Sequence, residues 1–320
     1  MGNLVNTEIT KDDICMDYIA DTLITKYGYK LIKYKSPTDV IKTPLIKVVL
    51  KYGDLYIISF QEEEEGQFIK HLLSPMIEPL CRGGRVHKDY PLKSFMASDI
   101  IFFVGFSHVN ICKVILFISC SYDYEIDCPN IDLVCAMKPL QHRIDTIKEE
   151  TLKDIKISLG LLLLFKCIQY YKEKNIDKVI LECHYELMEY YHFNLFFEIG
   201  VSDKFKYNNF KSNPVNTAFE IVMLDEKRIG DSTMLSKYRS YDYYEEEYIS
   251  KNRVKAFEKT LFKMYLDIPK KYRKIERNVE RRISDIHNVY NIKDLFDNSK
   301  DIIGDSPYYN TLIKYHDFDD

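Results

Sequence analysis

Residues 130–225 constrain the fold most, because their apolar runs change type in a fixed order along the chain. An apolar strand is expected at 131–137, followed after a polar connection by a helix that begins near Ser158 and runs to Tyr171. A β-rich run at 178–183 comes next, then an aromatic helix over 186–199 that stops at Gly200, and a last strand over 217–224. The order is β-α-β-α-β. Two short apolar strands joined by a helical crossover pair in parallel with a right-handed connection, so 131–137 and 178–183 are expected as sheet neighbours.

Upstream runs extend the same sheet. Residues 45–51 and 55–61 flank Tyr52-Gly53-Asp54, a hairpin signal. Runs at 100–106 and 112–120, linked through 107–110, form an antiparallel meander with 131–137. Asp12 or Asp13 caps a first amphipathic helix that ends before Gly28. The expected class is α/β (α+β), a mixed sheet with flanking helices and a C-terminal helical addition. Three regions follow: an N-terminal α/β region over 1–95, a core over 96–230, and a basic helical extension over 231–320.

Composition narrows the setting. Eight cysteines without any Cys-x-x-Cys, several inside apolar runs, read as buried thiols in a reducing compartment, and no metal site is expected. The first residues, Met-Gly-Asn-Leu-Val-Asn-Thr, lack the charged and apolar regions of a signal peptide, and Asn6 stands where a myristoylation signal needs Ser or Thr. No apolar run approaches the ~20 residues of a membrane span. These features suit a soluble, intracellular, cytoplasmic protein. Abundant Lys, Ile, Tyr and Asn is what AT-rich codons supply, and fits an AT-rich parasite or a large DNA virus.

The net charge of −4 gives no overall attraction to nucleic acid, yet residues 251–282 hold 12 basic and four acidic side chains. Val254, Phe257, Leu261, Met264 and Tyr265 give this segment a helical apolar face, and Pro269 divides it into two helices. A helical hairpin with a lysine-rich outer face is expected, either solvated or a surface for an acidic protein, nucleic acid or anionic lipid.

Two local patterns bear on chemistry. At Ile155-Lys-Ile-Ser158-Leu-Gly160, followed by four leucines, small residues stand where a helix is expected to begin. Open amides and the positive end of a helix dipole favour an anion there. In an alternative register, Gln141-His142-Arg143 opens the turn and the helix runs from near Thr146 straight through Gly160. The second pattern is Leu195-Phe196-Phe197-Glu198-Ile199-Gly200, closing the aromatic helix. Together with the element order, these patterns resemble the GCN5-related N-acetyltransferase superfamily over about residues 100–225.

The resemblance implies an acetyl-CoA-dependent N-acyltransferase, or a catalytically inactive relative kept as a structural or interaction module. It implies a CoA-type ligand whose pyrophosphate meets amides near Ser158 and Gly160, or near Arg143 in the alternative register. Backbone groups of the strand carrying Cys135 and Met137 would orient the thioester. The family's Arg or Gln ahead of the glycines is replaced by Ile155. Its tyrosine, which protonates the departing thiolate, is replaced by Phe196, which has no proton to give. Tyr190 and Tyr191 are the nearest phenols on that helix. Glu182 and His184 are the candidate general bases, with Glu189 a further carboxylate on the helix.

Overall fold

The computed structural model describes residues 20–21, 24–25, 30–33, 48–52, 55–61, 70, 90–108, 111–136, 149–205, 214–222, 238–241 and 260–283. The chain divides into two compact units. One comprises residues 1–120, 133–166 and 282–320, and the other comprises 121–132 and 167–281.

The first unit holds strands β1 (Lys30–Lys33), β2 (Val48–Tyr52), β3 (Leu55–Gln61), β4 (Ile100–His108) and β5 (Ile111–Asp123), the last continuing into the second unit from Ser121. Strand β1 pairs with β2 in parallel. Strands β2 to β5 pair successively antiparallel. Tyr52 stands opposite Leu55, the pairing that the hairpin signal at 52–54 predicts. Between Val104 and Gly105 the register shifts, so that Ile115 is the extra residue of a bulge.

Helix α1 (Tyr90–Ala97) precedes β4. Phe95 is buried edge-on against Phe117 of β5, with ring centroids 5.5 Å apart. The ammonium of buried Lys70 donates to the carbonyls of Met96 (3.1 Å) and Ser98 (2.6 Å). A cation thereby satisfies acceptors at the end of α1 that no intrahelical donor reaches.

The second unit begins with the tip of the β5 hairpin. Asp123 Oδ1 accepts the amides of Glu125 and Ile126 at 2.9 Å each, and Asp127 takes a left-handed conformation, φ 56°. Strand β6 (Cys128–Ala136) leaves this turn. Helix α2 (Glu149–Glu173) then leads to β7 (Lys178–Cys183), which pairs with β6 in parallel, Asn130 opposite Ile180 and Ile131 opposite Leu181. This is the strand–helix–strand unit the sequence order anticipates. The unit boundary falls at Asp132 in β6 and at Lys166 in α2.

Helix α3 (Tyr185–Leu195), β8 (Glu198–Ile199), a 3-10 turn (Asp203–Phe205), α4 (Pro214–Val222), β9 (Arg239–Tyr241), β10 (Thr260–Asp267) and α5 (Ile268–Ile283) complete the chain order. Strand β10 lies between β7 and β8 and is antiparallel to both; β9 also pairs with it.

Four sequence expectations are corrected. Helix α2 starts by Glu149, not near Ser158, so Gly160 lies buried in the interior of a 25-residue helix. The aromatic helix ends at Leu195. There Phe196 turns left-handed (φ 58°, ψ 29°), the amides of Phe196 and Phe197 return to His192 and Tyr191, and 198–199 is strand.

Residues 217–222 are helix, not strand. Pro214 presets the first turn, and buried Thr217, Ala218 and Ile221 share one helical face. The basic segment is not a pair of helices outside the core. Its residues 260–267 are β10, with Phe262, Met264, Tyr265 and Leu266 at most 1% exposed.

The first expected helix and the tail fall largely outside the described residues, although Ala20, Asp21, Ile24 and Thr25 are helical. Among the described residues, no helix is long and apolar enough to cross a membrane.

Candidate functional site

Strand β7 is apolar on both faces, with Val179, Ile180, Leu181 and Cys183 buried, and it delivers Glu182 and His184 to its end. Glu182 stands directly opposite Lys263 of β10, and their charged groups are 3.6 Å apart in a half-buried pair. His184 is the residue before α3, extended at φ −71° and ψ 155°, and its carbonyl accepts the Leu187 amide at 2.9 Å. Its ring makes no capping bond to the helix.

The two candidate tyrosines differ in access. Tyr190 is half-buried and meets Tyr191 edge-on at 5.3 Å. Tyr191 is 6% exposed and also meets Phe197 edge-on at 6.0 Å. Burial holds the Tyr191 phenol well above its ordinary pKa, with Cys183 and Tyr190 adding to the rise. It keeps its proton, which is the wrong property for a group that must give one up near neutral pH. His192 is fixed nearby: its Nδ1 lies 2.7 Å from the Phe197 carbonyl, an acceptor only, so Nδ1 carries the hydrogen.

The cofactor-binding candidates lie in the first unit. Ser158 and Gly160 are both inside α2, where backbone amides serve the helix's own i→i−4 ladder and cannot cradle a pyrophosphate. The Ser158/Gly160 register is therefore overturned, and the helix runs through Gly160 as in the alternative. Cys135, on β6, is buried and disulfide-bonded, unlike the thiol the sequence suggests. Cys120, Cys128, Cys167 and Cys183 are buried thiols. Burial raises the Cys128 thiol to about 11. Met137 and Arg143 lie outside the described residues.

One polar cluster was not anticipated. The hydroxyl of Tyr265, itself 1% exposed, shares its hydrogen between Glu198 Oε2 at 3.0 Å and Asp203 Oδ1 at 2.8 Å. Lys271 Nζ reaches Glu198 Oε1 at 3.1 Å. Lys270 pairs with Asp203 and, at 2.6 Å, with Asp267. Burial, then the bonds to Asp203 and Glu198, push the Tyr265 phenol far up. The cluster ties β8 and the 3-10 turn to β10 and the start of α5.

Two ammonium groups pair with three carboxylates around a phenol that keeps its proton, so its chemistry is that of a clamp and not of an acid–base pair. The available signal was Asp267-Ile-Pro269, an N-cap followed by proline in the first turn; Asp267 Oδ1 accepts the Lys270 amide at 3.1 Å.

Among the described residues, no group of three or more His, Cys, Asp or Glu is arranged to hold a metal ion. No protein-family model matches the chain, and a search of curated proteins finds no match.

Proposed function

We propose that this chain is an acyl-CoA-binding protein of the N-acetyltransferase type, moving acetyl from acetyl-CoA to an amine. The observation that supports this best is the parallel pairing of β6 with β7 through α2, directly after an antiparallel meander. That succession is what the resemblance to the GCN5-related superfamily requires. With α2 running through Gly160, the fitting register opens the pyrophosphate turn at Gln141-His142-Arg143, ahead of the helix start. Backbone of the strand bearing Cys135 and Met137 would orient the thioester.

The chemistry of α3 favours a second reading, a non-catalytic member of the same fold that serves as an interaction module. Phe196 offers no proton, Tyr191 is buried with a strongly held one, and Glu182 is engaged by Lys263. Calorimetric titration of the full chain with acetyl-CoA, followed by an assay of thiol release with an amine panel, tests both. Saturable binding with thiol release supports the enzyme. Saturable binding without release supports the module. No binding at millimolar acetyl-CoA overturns the acyltransferase reading.

A further inference from the structure

Helix α5 sorts its charges by side. Ile268, Tyr272, Ile275, Asn278 and Val279 are buried, while Lys270, Arg273, Lys274, Arg277 and Arg281 are exposed on the outer side; Arg282, also exposed, lies about 100° round the helix from Arg281. At about 100° per residue, these five cations fall within roughly 100° of the outer face, and no acid lies among them. The two glutamates of the helix, Glu276 and Glu280, sit together on its flank and are half-buried.

Every charged i,i+4 pair within α5 is of like sign: Lys270/Lys274, Arg273/Arg277, Glu276/Glu280 and Arg277/Arg281. Opposite charges meet only at i,i+3, in Arg273/Glu276 and Arg277/Glu280. Like charges at i,i+4 repel, and the two i,i+3 pairs set their acids on the flank of the helix and not among the exposed cations. Local self-repulsion of this kind is relieved by an opposite charge from outside.

We propose that the outer face of α5 binds the phosphodiester backbone of nucleic acid. From Lys270 to Arg281 the stripe runs about 16 Å along the helix axis, at 1.5 Å per residue, against one duplex phosphate charge per ~1.7 Å. Three of the five cations are arginines, whose planar forks match phosphate oxygens. An anionic membrane is disfavoured because the exposed large hydrophobic side chains among the described residues, Tyr124, Leu187 and Phe193, all lie off α5. Lys270 is already held by Asp203 and Asp267, and Arg281 donates Nη2 to Asn278 Oδ1 at 2.8 Å; the proposed contact is carried by the charges of Arg273, Lys274, Arg277 and Arg281. The inference does not depend on acyl-CoA chemistry.

The test is fluorescence anisotropy with the full chain, a 30-base-pair duplex of arbitrary sequence and a 30-nucleotide single strand, titrated from 50 to 200 mM salt. With about four phosphates neutralised, the log–log salt slope should be near −3.6 for duplex and near −2.8 for single strand. For duplex this is a loss of affinity of roughly 150-fold across that range. The variant R273Q/K274Q/R277Q should bring the duplex slope to about −0.9 while its unfolding midpoint is unchanged or higher. The probe bound more tightly at 50 mM salt is the preferred strand form. The proposal is overturned if the wild type fails to bind either probe at 50 mM salt, or if the variant keeps the wild-type slope. It is equally overturned if polyglutamate of matched charge displaces the probe as well as unlabelled duplex does.

Discussion

Tyr265→Phe isolates the clamp between β8, the 3-10 turn and β10, because it removes one hydroxyl from a buried ring and leaves the packing. The lost hydrogen bonds go to ionised acceptors, for which the net worth is about 1.5–3 kcal/mol. Neither carboxylate is orphaned by the change: Glu198 keeps Lys271, and Asp203, with 60% of its side chain exposed, keeps Lys270 and water. The lower part of the range applies, so at pH 7 the variant should lose roughly 1.5–2 kcal/mol of unfolding free energy.

The pH dependence carries a sharper test. Folded Tyr265 holds its proton beyond the pH at which an unfolded phenol, with an ordinary value of 10.0, releases it. Its contribution is therefore complete below pH 10 and is lost as pH rises above it, at about 1.4 kcal/mol per unit. Phenylalanine has no such dependence. The gap between wild type and variant should shrink by about 1.4 kcal/mol by pH 11. Urea titrations at pH 7, 9 and 11, read by tyrosine fluorescence and far-ultraviolet circular dichroism, measure it. Equal stabilities at pH 7, or a gap that stays constant to pH 11, would show that the hydroxyl does not make these bonds.

Three further outcomes follow from the fold. Gly160→Val adds a branched side chain inside a buried stretch of α2 where Leu163 and Leu164 are fully covered; it should cost about 1–3 kcal/mol in a melt and leave any acetyl-CoA affinity unchanged. Removing residues 260–320 withdraws Phe262, Met264, Tyr265 and Leu266, each worth about 1.5–3 kcal/mol of burial; cooperative unfolding of the remaining chain should be lost, and a retained sharp transition would contradict the placement of β10. Asn175 follows α2 at φ 57°, so Asn175→Ala should cost about 1 kcal/mol in a chemical denaturation, while Asn175→Gly should cost little.

Elements whose burial is one-sided or complete over a short stretch were legible. The pairing of Tyr52 with Leu55, the antiparallel pairing of β4 with β5 and the β6–α2–β7 unit all follow from apolar periodicity and turn residues. Boundaries were less so. The start of α2 was misread because Ser158 and Gly160 look like a small-residue entry. Glycine in a helix interior costs only about 0.5–1 kcal/mol, and the leucines that follow outweigh that. The end of α3 was misread because Gly200 marks a stop more visibly than Phe196. The chain turns left-handed at the phenylalanine, while Gly200, φ 118°, donates its amide to the Lys263 carbonyl at 2.9 Å.

The candidate site was obscured by β10, and the reason is the length of the strand. Leu261, Met264 and Tyr265 satisfy helical spacing, while Thr260, Phe262 and Met264 satisfy alternation, and an eight-residue run supports both. What decides between them is not local. Lys263 finds Glu182 across β7, Met264 Sδ lies 3.6 Å from Cys183 Sγ, and Tyr265 reaches Glu198 and Asp203, all partners more than 60 residues away. Once 260–267 is strand, Asp267 becomes the cap of a separate helix and Pro269 its first turn, not a break inside a longer one. The same reassignment takes Lys263 out of the basic surface, binds Lys270 and Lys271 to carboxylates, and leaves Arg273, Lys274, Arg277 and Arg281 on one face of α5. Among the described residues, the lysine and arginine excess read over 251–282 thus narrows to a short stripe, whose proposed phosphate contact is tested by its salt response.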